Sequence, residues 1–259
     1  MSTAPLHGRL AVVTGAAEGI GAVIARALAA AGANLAAVDV RPVDLSRLVA
    51  PGQRAQAFAC DVTSSPQVAE TCRAILDTMG PVSILVNNAG GGGDEPGDNI
   101  ETLTDEQWEH VLSLNLSAAM RFCRGLVGSM RAARQGRIIN ISSTLRNGFH
   151  GPVGTMRGRL PYITAKMALV GLTRQLANDL GADGITANIV SPGLTLPGPE
   201  AKITRRYNAL PPEEKHRLTG HIPAGRPATG EDVANAVLFL SLPSSAYVSG
   251  QTIDVSGGP

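Results

Sequence analysis

Tyr162 and Lys166 stand four residues apart in a segment with helical periodicity, so both side chains lie on one helix face. An ammonium beside a phenol favours phenolate, which would draw the tyrosine from its free pKa of about 10 towards a working acid/base range. Tyr and Lys at this spacing are also common on ordinary helix surfaces. Ser143 shifts the balance: it ends an apolar run, where its hydroxyl could donate a hydrogen bond to a carbonyl oxygen, and Asn115 lies upstream in a helical stretch. Together these groups could move a proton to or from an oxygen held in place. Ser142 is the alternative serine.

A second set of residues is suited to a dinucleotide. Gly15, Glu18, Gly19, Ile20 and Gly21 lie in TGAAEGIG between an apolar run and a helical pattern. Glycines there let the backbone turn tightly and bring a helix N-terminus against a pyrophosphate. The spacing is G-x-x-x-G-x-G, distinct from G-x-G-x-x-G, and a plain tight turn would look the same. Asp39 closes the next apolar run, where a carboxylate can accept both hydroxyls of an adenosine ribose. A solvated loop acid is the competing reading. Asp61, after a third run, could face an adenine edge. Asn87, Asn88, Ala89 and Gly90 follow a fourth, where small residues would admit a cofactor and amides could pin backbone.

Positioning these groups requires strands that deliver their ends to one edge. Apolar runs at Leu10 to Val13, Leu35 to Val38, Phe58 to Cys60, Ser83 to Val86, Arg137 to Ile141, Thr186 to Val190 and Ile253 to Val255 read as strands. Helical faces lie between them: Ile20 to Ala31, Val68 to Met79, about Trp108 to Met130, and Tyr162 to Leu180. This alternation predicts an α/β fold, a doubly wound parallel sheet of about seven strands with helices on both faces, in a single domain over 1–259. Residues 144–161, rich in Gly, and 192–231, rich in Pro, resist the pattern. Both are expected to be irregular loops on the ligand side, or a lid.

Composition narrows the field. The chain has 259 residues, 44% hydrophobic and 17% charged, enough for a large core and inconsistent with disorder. With 22 Lys+Arg against 21 Asp+Glu it has no overall field to recruit nucleic acid or an anionic membrane. Its three cysteines, Cys60, Cys72 and Cys123, are widely spaced, which reads as reduced thiols in a cytoplasmic protein. The five histidines form no ligand cluster, so no metal is expected. No stretch has the length and apolarity of a spanning helix.

From Arg9 to Gly258 the chain resembles the short-chain dehydrogenase/reductase family: TGAAEGIG (14–21), Asp61 with Val62, NNAG (87–90), Asn115, INISS (139–143), YITAK (162–166) and SPG (191–193) occur in the family's order. The resemblance implies that Tyr162 is the acid/base, that Lys166 orients the nicotinamide ribose and lowers the tyrosine pKa, that Ser143 polarises the substrate oxygen, and that Asn115 holds a relay water. It also implies cofactor contacts from Gly15, Glu18, Gly19, Ile20, Gly21, Asp39, Asp61, Val62, Asn88, Ala89, Gly90, Pro192, Gly193 and Thr195, besides Tyr162 and Lys166. A homotetramer or homodimer is implied too, with the Tyr162 to Leu180 helix and the C-terminal segment at subunit contacts. Three positions depart from the pattern: a longer connection from Ser143 to Tyr162, Pro197 where a threonine is common, and Ser256 where an aspartate is usual.

The expected activity is NAD(H)-dependent interconversion of a small-molecule secondary alcohol and ketone. Asp39 and Glu18 disfavour a 2′-phosphate, against the contrary signal of Arg41. The alternatives are an NADPH-linked ketone or oxoacyl reductase and a non-catalytic NAD-binding sensor. Arg146, His150, Arg157 and Arg159, with Lys202, Arg205, Arg206, Lys215 and Arg217, suggest an anionic group on the substrate, or simply solvated loops.

Overall fold

The computed structural model describes residues 4–92, 99–148 and 159–258. Seven strands form one parallel sheet: β1 (Leu10–Thr14), β2 (Asn34–Asp39), β3 (Ala55–Ala59), β4 (Ile84–Asn87), β5 (Gly136–Ile141), β6 (Ile185–Pro192) and β9 (Thr252–Val255). Their order is β3-β2-β1-β4-β5-β6-β9. The chain runs outward from β1 to β3 and then returns to place β4 on the other side of β1. Ligand crevices open at such a reversal, beyond the carboxyl ends of the strands.

β1, β4, β5 and β6 are buried along their whole length, as their continuous apolar runs require of strands covered on both faces. On one face α1 (Gly19–Ala30) and α8 (Gly230–Ser241) bury Ile24, Leu28, Val233 and Val237 against Val13, Val86 and Ile139. On the other, α2 (Ser65–Met79) and α4 (Ala118–Ala132) bury Cys72, Ile75, Phe122 and Leu126 against Val12, Leu85 and Ile138. Local signals set the helix starts. The Ser64 side chain caps α2, with Pro66 in its first turn, and capping boxes pair Thr104 with Gln107 and Thr229 with Asp232.

Four expectations need correction. The third strand is Ala55–Ala59, so Cys60 lies beyond it. The stretch about Trp108 to Met130 is α3 (Asp105–Leu112) and α4 joined by a π-helical turn at Ser113–Ser117. Within 144–161, residues 144–147 form a 3-10 turn and α5 (Arg159–Leu180) already includes 159–161. Residues 192–231 are largely regular: β7 (Thr195–Leu196) pairs with β8 (Ala228–Thr229) in a small parallel sheet, and α6 (Lys202–Asn208) and α7 (Pro212–Thr219) lie between them. Pro212 opens α7, where its missing N–H costs nothing.

The three cysteines are buried and free, and burial pushes the Cys72 and Cys123 thiols up to about 12. No helix among the described residues is long and apolar enough to cross a membrane.

Candidate active site

The glycine-rich turn between β1 and α1 is built from the backbone outward. Gly15 and Gly19 have φ of +68° and +64°, a region that side chains with a Cβ rarely adopt. Gly21 is required for a different reason: a Cβ there would lie 2.0 Å from the Gly15 carbonyl oxygen. Glu18, the residue before α1, makes no capping hydrogen bond, so the first-turn amides are left to other partners.

Neighbouring strands brace this turn. Thr14 Oγ1 accepts the amides of Asn88 and Ala89, each at 3.0 Å, and Asn88 Nδ2 donates to the carbonyls of Thr14 at 2.9 Å and Gly15 at 3.2 Å. Asp39 is buried at the end of β2 and accepts the amides of Ala17 and Arg41, both at 3.0 Å. It is therefore an ordered acid beside the turn, and the solvated-loop alternative does not hold. Asp61 accepts from the Thr63 amide and hydroxyl at 2.9 and 2.7 Å, bonds that hold its carboxyl below the usual range.

The second cluster forms where β5, α5 and the π turn meet. Ser143 directly follows Ser142 at the carboxyl end of β5, close enough to Tyr162 for its hydroxyl to favour the phenolate. Lys166 Nζ lies 5.5 Å from the Tyr162 ring centroid and donates to the Ile141 carbonyl at 2.9 Å. The expected lowering of the tyrosine pKa by this lysine is not found. Burial raises Tyr162, Ser143 opposes that rise, and burial also lowers Lys166 to about 8. Ser142 donates to the Lys166 carbonyl at 2.8 Å inside the core, which assigns it to holding α5 against β5 and leaves Ser143 facing Tyr162.

Asn115 sits in the π turn and is buried, with Oδ1 accepting from Gly91 N at 3.0 Å and Nδ2 donating to Gly91 O at 2.8 Å. A Cβ on Gly90 would fall 2.5 Å from Asn115 Oδ1 and 3.1 Å from Lys166 Nζ. Glycine at 90 is thus what lets Asn115 and Lys166 converge. Beyond β6, Gly193 donates to the Val255 carbonyl at 2.9 Å, and buried Thr195 donates to the Gly193 carbonyl at 3.0 Å.

These residues suit a dinucleotide: a cradle that a Cβ would fill, an acid at the end of β2, and small residues at 89 and 90. Both clusters lie at the carboxyl ends of the strands, so a molecule spanning the β1/β4 crevice would join them.

Some sequence-predicted groups lie elsewhere. Arg146 is engaged by Asp254 at 2.8 and 3.0 Å, so in this structure it is no free clamp for a substrate anion. Arg205 meets Glu200, and Lys215 lies over the Tyr207 ring. His150 and Arg157 fall outside the described residues. Sequence reasoning missed Thr14, although it stands within the first motif, whereas Asn88 pins neighbouring backbone as its amide suggested. It also missed the buried chain from Asn87 through Asn140 to Thr173, with two bonds of 2.8 Å.

Residues 15–259 match the family described as Enoyl-(Acyl carrier protein) reductase. The 3-oxoacyl-[acyl-carrier-protein] reductase FabG of Vibrio cholerae is 34% identical over 256 residues, 98% of each chain. The short-chain reductase protein NovJ of Streptomyces niveus is 35% identical over 254 residues, 96% of this chain and 93% of the other. A solved 7α-hydroxysteroid dehydrogenase, in complex with NADH and 7-oxo glycochenodeoxycholic acid, superposes with a TM-score of 0.85 at 31% identity, covering 99% of this chain and 96% of that one.

Proposed function

The chain belongs to the short-chain dehydrogenase/reductase family, and we propose that within it the protein is an NAD(H)-dependent oxidoreductase interconverting a secondary alcohol and a ketone. The convergence on Tyr162 of Ser143, whose hydroxyl favours the phenolate, and of Lys166, with Nζ 5.5 Å from the same ring, carries this reading. Tyr162 gives or takes the proton at the substrate oxygen, Ser143 donates a hydrogen bond to that oxygen, and Lys166 supplies positive charge beside both. Asn115 keeps the Gly91 backbone fixed at the edge of the site.

The bound nicotinamide cofactor supplies the hydride acceptor or donor. The turn at Gly15, Glu18, Gly19, Ile20 and Gly21 would hold its pyrophosphate, Asp39 its adenosine ribose, and Asp61 with Val62 its adenine. Asn88, Ala89, Gly90, Pro192, Gly193 and Thr195 would line the rest, with Tyr162 and Lys166 at the second ribose. NAD(H) is favoured over NADP(H) because buried Asp39 would face a 2′-phosphate with like charge. The 7α-hydroxysteroid dehydrogenase, complexed with NADH, supports the same assignment.

Reduction of a 3-oxoacyl thioester is the second reading, favoured by 34% identity to the Vibrio cholerae reductase over nearly all of both chains. A homotetramer or homodimer fits the exposure of Met167 on α5 and Phe239 on α8. The test follows reduced-cofactor absorbance with NAD+ or NADP+ and a panel of secondary alcohols that includes a hydroxysteroid, and in reverse with NADH or NADPH and acetoacetyl-CoA. Turnover with NAD+ and an alcohol supports the first reading. Activity confined to the thioester supports the second, and no turnover in any arm overturns both.

A further inference from the structure

Arg146 belongs to the 3-10 turn at Thr144–Asn147, yet its side chain is only 11% exposed. Its guanidinium reaches Asp254 on β9 through two bonds, Nη1 to Oδ1 at 2.8 Å and Nη2 to Oδ2 at 3.0 Å. Nη1 also donates to the Ser143 carbonyl at 3.3 Å and to Ser191 Oγ near the end of β6. Ser191 and Asp254 are register partners on β6 and β9. One side chain therefore ties together the exit of β5 and the last residues of two neighbouring strands.

The turn it anchors governs the Ser143 hydroxyl. Ser143 is extended, with φ −160° and ψ 148°, and its Oγ accepts the Leu145 amide at 3.2 Å while its carbonyl accepts the Arg146 amide at 3.0 Å. With one lone pair held by Leu145, the hydroxyl has a restricted set of directions in which to meet Tyr162. We infer that Arg146, locked by Asp254, is a positioning residue that aims Ser143 at the reacting oxygen. A planar guanidinium suits this task because its forked donors meet both carboxylate oxygens and still reach a third acceptor. A lysine ammonium cannot reproduce that fork. The inference rests on the oxidoreductase reading above, in which Ser143 contacts substrate.

The test measures steady-state kinetics of the full chain with NAD+ and the alcohol that the wild type oxidises fastest in the panel, beside thermal melting. Arg146→Met and Asp254→Asn should each lower kcat by about 10- to 100-fold, the scale of a small misalignment at a reacting centre. KM for NAD+ should stay within about twofold, because the cofactor cradle is not touched. Arg146→Lys should recover part of the loss, and the Arg146→Met/Asp254→Asn double variant should lose no more than the worse single variant. Wild-type kcat in both single variants would overturn the inference. So would a fall in kcat that comes with a matching rise in KM for NAD+ and a lower melting temperature, since that marks general loosening. Tyr162→Phe run alongside separates the two readings: its loss of activity with unaffected Arg146 variants overturns this inference alone. An active Tyr162→Phe, or a wild type that turns over nothing, overturns both.

Discussion

Arg41 Nη1 lies 2.8 Å from Glu18 Oε1, an ion pair that closes the gap between the glycine-rich turn and the end of β2. Asp39 lies on the other side of the same guanidinium at 3.3 Å, and the Glu18 bond is the chief cause of its raised pKa. Arg41, a cation that could receive a 2′-phosphate here, is thus held by two acids. We expect higher kcat/KM with NAD+ than with NADP+, and Asp39→Ala should narrow the difference mainly by weakening NAD+. Glu18→Gln should raise NADP+ efficiency only about two- to fivefold, because half-exposed ion pairs contribute roughly 1 kcal/mol or less. Equal efficiencies in the wild type would contradict the NAD assignment.

Tyr162→Phe keeps the ring and removes the proton. Turnover should drop by about 10²- to 10⁴-fold while NAD+ binding, followed by fluorescence or calorimetry, survives. Lys166→Ala should impair both. Near wild-type kcat in Tyr162→Phe would point to a different acid or to a sensor.

Gly21→Ala tests the close packing of the cradle. Its Cβ would meet the Gly15 oxygen at 2.0 Å and Asn88 Nδ2 at 2.4 Å, so α1 must move away from β1 and β4. Overpacking of this kind typically costs about 1–3 kcal/mol. We expect a lower melting temperature together with loss of cofactor binding. Gly128→Ala, on α4 with open space around its Cβ position, is the control: it should leave cofactor binding unchanged and the melting temperature equal or higher, since Ala is the better helix former.

Lys166 carries a pH signature. Its folded pKa of about 8 lies below the unfolded value of about 10.4, so below pH 8 the fold bears the full cost of burying the ammonium. That cost lifts as pH rises through 8 towards the unfolded value, because the unfolded chain then binds more protons. The unfolding free energy of the wild type minus that of Lys166→Met should therefore increase with pH, by on the order of 2 kcal/mol between pH 8 and 9.5. The subtraction matters because the buried thiols act in the opposite sense over the same window. A flat difference in urea titrations would refute the assignment.

Arg137 is buried at the start of β5 with Nε unpartnered, and burial and nearby Arg9 both lower its pKa. Replacing a buried charge that lacks a compensating acid by an apolar side chain of similar reach is often neutral or stabilising. Arg137→Met should leave the melting temperature unchanged or raise it. A fall of several degrees would show that the guanidinium has a stabilising partner.

Most of the sheet was legible because fully buried parallel strands leave apolar runs, and Ser143, Tyr162 and Lys166 were legible because strand end and helix face follow from spacing. Other features depend on partners far along the chain. Arg146 looked like a loop cation because Asp254 is 108 residues away, and no local pattern announces that pairing. The Tyr162 pKa went the other way from expectation because burial, which spacing does not report, outweighs the opposing effect of Ser143. The order within 192–231 was partly there to be read: Thr229 and Asp232 have capping-box spacing, and Pro212 is a helix-opening proline. The density of prolines hid both.

The π turn at Ser113–Ser117 amounts to one surplus residue threaded into an otherwise continuous helix. Removing a single residue there would let the backbone relax to regular α geometry with α3 and α4 kept in phase, so that only the residues of the bulge change direction. Asn115 would then swing away from Gly91 even though the helix itself became more regular. At this point the protein keeps a less regular helix and with it the bulge that brings an amide to Gly91. A one-residue deletion is thus a sharper probe of Asn115 than changing its side chain, because it moves the group without altering its chemistry.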